Sequence, residues 1–167
     1  MRVLALDPGE RVGWARADVA DDGTWTDLRH GITPLRDMAL AVHTATAYGE
    51  VAGYTSDYDV VVMEDWRLYP DKVREFSGST FPSVQFIGMV RLCCWLSGTS
   101  LVMQGARVKT TTDKTMPALR PDLYKMVTVP RKHDDSHDMD AIRHLWHWTF
   151  KNTDCRRIEP STEGVTA

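Results

Sequence analysis

Three cysteines (Cys93, Cys94 and Cys155), two of them adjacent, are too few and too poorly spaced for a disulfide framework or a thiolate metal site. They point to a reducing cytoplasm. No apolar run approaches the roughly 20 residues that a membrane helix needs, so no membrane partner is expected. The opening residues, MRVLALDPGE, have no small-residue cleavage site and reach an acid at Asp7, so they read as folded chain rather than a leader. Basic charge is not in excess either: 20 Lys and Arg face 23 Asp and Glu, a net charge of -3. That excludes a uniformly basic nucleic-acid binder. No internal repeat is visible.

What is present is globular. A chain of 167 residues, 43% hydrophobic and 26% charged with six Trp, is one domain with one core. The domain is expected over residues 1–150, with residues 151–167 a polar, flexible tail. Charge is unevenly spread. Residues 1–66 carry 5 basic and 12 acidic side chains, residues 67–132 carry 11 and 4, and residues 133–167 carry 4 and 7. A basic middle between acidic ends suits an enzyme that grips phosphates while holding cations in a carboxylate pocket. Solvated loops that never converge would give the same counts.

The run Val3-Leu4-Ala5-Leu6 reads as a strand buried on both faces, ended by the turn residues Asp7-Pro8-Gly9. Residues 12–19 and 24–32 read as two further strands around the hairpin signal Asp21-Asp22-Gly23. Residues 35–52 turn helical, and DVVVME (59–64) is a central β-branched strand. Residues 67–82 read as a loop. Residues 83–96 form the strongest amphipathic helix, 101–104 another strand, and 137–150 a last helix. Between them, residues 107–135 are basic and Pro-interrupted, with one short helix expected at 123–127. The order predicts an α/β fold, a mixed five-stranded sheet flanked by helices.

Acids fall where this topology would gather them. Asp7 and Glu64 each end a buried strand, and adjacent parallel strands would bring both to one sheet edge. His137 and Asp140, three apart at the start of the last helix, share a face. Carboxylates with one imidazole suit Mg²⁺ or Mn²⁺ better than Zn²⁺. Taken singly, each has a plainer explanation: a turn, a solvated strand end, helix-start acids, or surface histidines at His133, His137, His144 and His147.

The stretches VLALDPGERVGWA and VVVMED and the helix HDMDAIRH resemble the RuvC-like Holliday junction resolvases of the RNase H-like superfamily, particularly phage-borne members. The resemblance spans about residues 2–148 in short islands. It implies an RNase H-like sheet, a homodimer acting on four-way DNA junctions, and location in the cytoplasm of a bacterial host. It also implies a Mg²⁺-dependent endonuclease with two ions, for which Mn²⁺ can substitute, making paired nicks that leave 5′ phosphates. Asp7, Glu64 and Asp140 match the family's acidic metal ligands, and His137 falls where members carry Asp or His. Asp138 points about 160–200° away on the helix and is left out. Lys109 resembles a basic residue at the cut phosphate, with Lys114 beside it. Arg67, Lys72, Arg74, Arg107, Arg120, Lys125, Arg131 and Lys132 are expected to hold the DNA arms. Trp66, Tyr69 and Phe76 compete for the place of an aromatic wedge, and the 83–96 helix is a candidate dimer interface.

Other readings fit less well. A sugar-kinase or ATPase fold needs a second phosphate loop and a longer chain, and an HD-type phosphohydrolase needs an all-helical domain. A decayed junction-binding protein is disfavoured because all four ligand positions are filled. A nuclease of the same fold acting on other branched DNA or RNA–DNA hybrids remains the main alternative.

Overall fold

The apolar run after Arg2 forms the middle of the sheet. In the computed structural model, which describes residues 1–37, 57–65, 81–105, 107–129 and 136–155, β1 (Arg2–Asp7) is buried from Val3 to Asp7. It pairs antiparallel with β2 (Arg11–Val19), which pairs antiparallel with β3 (Trp25–Pro34). On its other side β1 pairs parallel with β4 (Val60–Glu64), and β4 pairs parallel with β5 (Ser100–Gln104). The sheet order is therefore β3-β2-β1-β4-β5, the mixed five-stranded sheet expected.

Strand alternation sorts the core into two layers. Val3, Ala5, Val60 and Val62 face α4 (His137–Asn152), which contributes Ala141, Ile142, Leu145 and Trp146. Leu4, Leu6, Val61 and Met63 face α1 (Pro82–Ser97) through Phe86, Ile87, Val90 and Cys94. The three cysteines are free and buried. Burial lifts the Cys94 thiol to about 11, so it packs as an inert apolar group.

The segment after β5 is more helical than its sequence suggests. Two helices stand there, α2 (Val108–Leu119) and α3 (Pro121–Thr128), where one short helix was expected. Pro117 lies in the last turn of α2, where it forfeits one backbone bond, and Pro121 occupies the first turn of α3, where its missing N–H is harmless. Val108, Thr112 and Met116, four apart, form the buried stripe of α2. Two of those three are visibly apolar, and the Thr hid the pattern. Of the helix expected over 35–52, residues 35–37 are helical and the rest lies outside the described residues, as does most of the 67–82 loop. Among the described residues, no helix is long and apolar enough to cross a membrane.

The ordered chain continues past the expected boundary at 150. α4 runs through Asn152, the Asp154 amide donates to the Asp21 carbonyl at 2.8 Å, and Cys155 is buried beside Gly23 in the β2–β3 hairpin. Gly23 has φ 84°, the left-handed conformation that the hairpin signal implied. Trp25 locks β3 to α4, donating from Nε1 to Thr149 Oγ1 at 3.0 Å and meeting Trp146 edge-on at 6.2 Å.

Gly13 sets how closely α4 approaches. It pairs with Asp7 across β1 and β2, and a Cβ there would overlap the backbone carbonyl of His137. The first turn of α4 is thereby pressed against the strand beside Asp7. Gly13→Ala is expected to destabilise the fold by about 1–3 kcal/mol through overpacking, read as a lowered Tm. Gly88→Ala, on α1 with open space around it, should instead stabilise by up to about 1 kcal/mol.

Candidate active site

Parallel pairing of β1 and β4 aligns Leu6 with Met63, so the next residues, Asp7 and Glu64, stand side by side at the strand ends. β5 adds Gln104, in register with Glu64. α4 crosses above this edge and supplies a face of His137, Asp140, Arg143 and His144. Asp7 is buried at 6% exposure. Its Oδ2 lies 2.7 Å from His137 Nδ1. Ligand atoms of Asp7, Glu64 and His144 lie within 4.8 Å of one another.

Asp140 takes part through its neighbours. Its Oδ1 accepts from Arg143 at 2.6 Å, and its Oδ2 lies 3.0 Å from Lys109 Nζ at the first turn of α2. Glu64, Lys109, Asp140, Arg143 and His144 line one pocket of about 130 Å³. Arg143 also donates to the Val127 carbonyl at 2.8 Å, which ties the pocket wall to α3.

Of the expected residues, Asp7 and Glu64 lie close enough to share a cation. His137 reaches them through Asp7, and Asp140 and Lys109 through the pocket they line with Glu64, so neither His137 nor Asp140 is in the group within 4.8 Å. His144 belongs to that group and was missed: it is 4% exposed rather than a surface histidine. Its Nδ1–H donates to Gln104 Oε1 at 2.8 Å, which turns Nε2 toward Glu64 at 3.6 Å. Its spacing, four after Asp140 and seven after His137, was a usable signal. Asp138, left out on helix geometry, does face elsewhere: it is 2.8 Å from His30 Nδ1 on β3 and accepts from the Met139 amide at 3.0 Å. Lys114 is exposed on α2 and Arg107 precedes that helix; neither lines this pocket. Arg120 is drawn instead to Asp122, at 2.9 Å, and Lys125 is exposed on α3. Arg67, Lys72, Arg74, Arg131 and Lys132, and the aromatics Trp66, Tyr69 and Phe76, lie outside the described residues.

The two strand-end acids titrate in opposite directions. Burial raises the Asp7 carboxyl to about 6, against the pull of His137. Glu64, facing the His144 imidazole at 3.6 Å, is lowered to about 2. One carboxylate is held charged while its neighbour resists charging, as expected of two acids sharing a site. The donor set, two carboxylates and an imidazole with a third carboxylate alongside, fits a hard divalent cation of the Mg²⁺ or Mn²⁺ type.

This sheet order, with helices on both faces, is the RNase H-like α/β fold. More narrowly, it is the fold of the RuvC-type Holliday junction resolvases, as comparison with solved structures shows. RuvC from T. thermophilus in complex with Holliday junction substrate is 16% identical, with a TM-score of 0.57 over 90% of this chain and 94% of that one. The yeast mitochondrial Holliday junction resolvase Ydc2 is 14% identical, with a TM-score of 0.60 over 93% and 80%. A second Thermus thermophilus RuvC structure is 19% identical, with a TM-score of 0.51 over 90% and 94%. No protein-family model matches the chain, and no curated protein does.

Asp7 makes the site costly to the metal-free fold. Its raised pKa means the native state holds a proton that the unfolded chain releases near pH 3.8, so its contribution falls as pH rises from there to about 6. Glu64 acts in the opposite sense and in a lower window: its stabilisation is present above pH 4.5 and is lost as pH falls toward 2. Urea unfolding in EDTA should show Asp7→Asn gaining about 1–3 kcal/mol over wild type at about pH 8, with little gain at about pH 4. Parallel pH profiles for the two proteins would refute this.

Proposed function

We propose that this protein is a divalent-metal-dependent endonuclease that resolves four-way (Holliday) DNA junctions and related branched DNA by paired nicks leaving 5′ phosphates. The observation that carries this reading is the meeting of Asp7 and Glu64, from parallel strands, with the His137–Asp140–His144 face of α4 and Lys109. The junction resolvases that share the fold support the choice of substrate. A reducing bacterial cytoplasm fits the three free cysteines.

Asp7, Glu64 and His144 would hold a cation, with His137 and Asp140 completing the site for a second. When bound, Mg²⁺, or Mn²⁺ in its place, supplies an acidified water and a Lewis acid for the phosphodiester. Gln104 fixes the tautomer and direction of His144. Arg143 holds the Asp140 carboxylate from below, and Lys109 reaches the pocket from an exposed helix start, placed to neutralise the phosphate at the cut. Lys114 and Arg107 extend this basic rim, and Arg67, Lys72, Arg74, Arg131 and Lys132 would grip the arms. Binding is therefore expected to weaken steeply with salt.

Paired nicks in a two-fold junction call for a homodimer. α1 offers the interface. It packs Phe86, Ile87, Val90 and Cys94 against the sheet. It leaves Leu92 at 51% and Trp95 at 77% exposure, beside exposed Val84 and Leu96. Leu92→Glu/Trp95→Glu is expected to be a folded monomer by light scattering, where wild type is a dimer, and to nick one strand rather than a symmetric pair.

The central test is a panel of four-way, three-way, flap and linear duplex substrates with Mg²⁺ and Mn²⁺. Wild type should make paired symmetric nicks in the four-way junction. Asp7→Asn, Glu64→Gln and Asp140→Asn should abolish cutting while still binding the junction. Gln104→Ala should lower the rate by about 10–100-fold. Near-normal cutting by any of the three acid variants would remove that residue from the mechanism.

A further inference from the structure

Beside the catalytic pocket lies a larger groove, of about 410 Å³, between the end of β5, the start of α2 and the second half of α4. Gln104 and Val108 are common ground: Gln104 lines the groove while bonding His144, and Val108 lines both cavities. Along α4 the spacing 140, 144, 147, 151 makes one continuous ridge. It starts at Asp140 in the catalytic pocket and passes through His147 and Lys151 in the groove.

The groove is cationic. Among the described residues neither Arg107 nor Lys151 is in an ion pair, although both are exposed and both line it. The first turn of α2, which opens there, carries no acid and no side-chain cap, and its amides favour negative charge. Gly105 leaves its backbone open on the same side. Burial, with Lys151 and His144 nearby, lowers the His147 pKa and disfavours its charged form, so it forms a polar wall of the groove.

On this basis, and resting on the nuclease reading above, we infer that the groove holds a backbone phosphate of the cleaved strand outside the catalytic pocket, gripped by Lys151 and Arg107. Lys151 stands seven positions, about 10 Å of helix rise, beyond His144, so the gripped phosphate lies outside the catalytic pocket and fixes the register of the strand at the acids.

The experiment measures binding of an immobile four-way junction in EDTA across a salt series, with a single neutral methylphosphonate moved along one strand. Lys151→Gln should make the log K against log salt slope shallower by about one, and Arg107→Gln/Lys151→Gln by about two. Lys151→Arg should keep the wild-type slope. At one strand position the methylphosphonate and Lys151→Gln should each weaken binding, and together do no more than either alone. Arg29→Gln, the same charge change far away on β3, should leave the slope as it is. A wild-type slope for Lys151→Gln, a loss equal to that of Arg29→Gln, or additive losses at every position would overturn the inference and leave the nuclease reading standing. Coupling between Lys151 and one phosphate in a chain that cuts nothing would keep the groove and sink the nuclease reading.

Discussion

The parallel pairing of β1 with β4 is the constraint on which the rest of this molecule depends. A parallel ladder aligns strand ends of one polarity, so two segments more than fifty residues apart deliver Asp7 and Glu64 to neighbouring positions. An antiparallel pairing of the same strands would put the acids at opposite edges. The long connection between them is what permits parallel pairing.

Gathering these carboxylates opposes folding, and the surrounding side chains are arranged to offset it. Asp7 is buried and resists ionisation, while Glu64 is kept charged by His144. Asp140 is held between Lys109 and Arg143. Arg143 is anchored in turn to the Val127 carbonyl, and His144 to Gln104. Each acid thus has a cation or imidazole partner drawn from a different element. The strain left at Asp7 is the kind that a functional site retains at the expense of stability.

The apolar skeleton was legible in the sequence. All five strands and the last helix could be read from short β-branched runs and from helical periodicity, because burial on both faces leaves little room for polar residues. The helices α2 and α3 were not. Proline and threonine obscured a stripe of Val108, Thr112 and Met116 that acquires meaning only when packed against α4. His144 was hidden for a similar reason. An isolated histidine on a helix says nothing about its surroundings, and only packing against Gln104 and Glu64 makes it part of the site.

By itself the sequence determined the order of elements, the two strand-end acids and the acid-histidine face that follows them, since these follow from local pattern and helix geometry. Tertiary structure decided who partners whom. It turned His137 to Asp7 and Asp140 to Lys109 and Arg143, and drew His144 inward. Partnership among charges depends on distance and burial across the sheet edge, and neither is encoded in spacing along one chain segment.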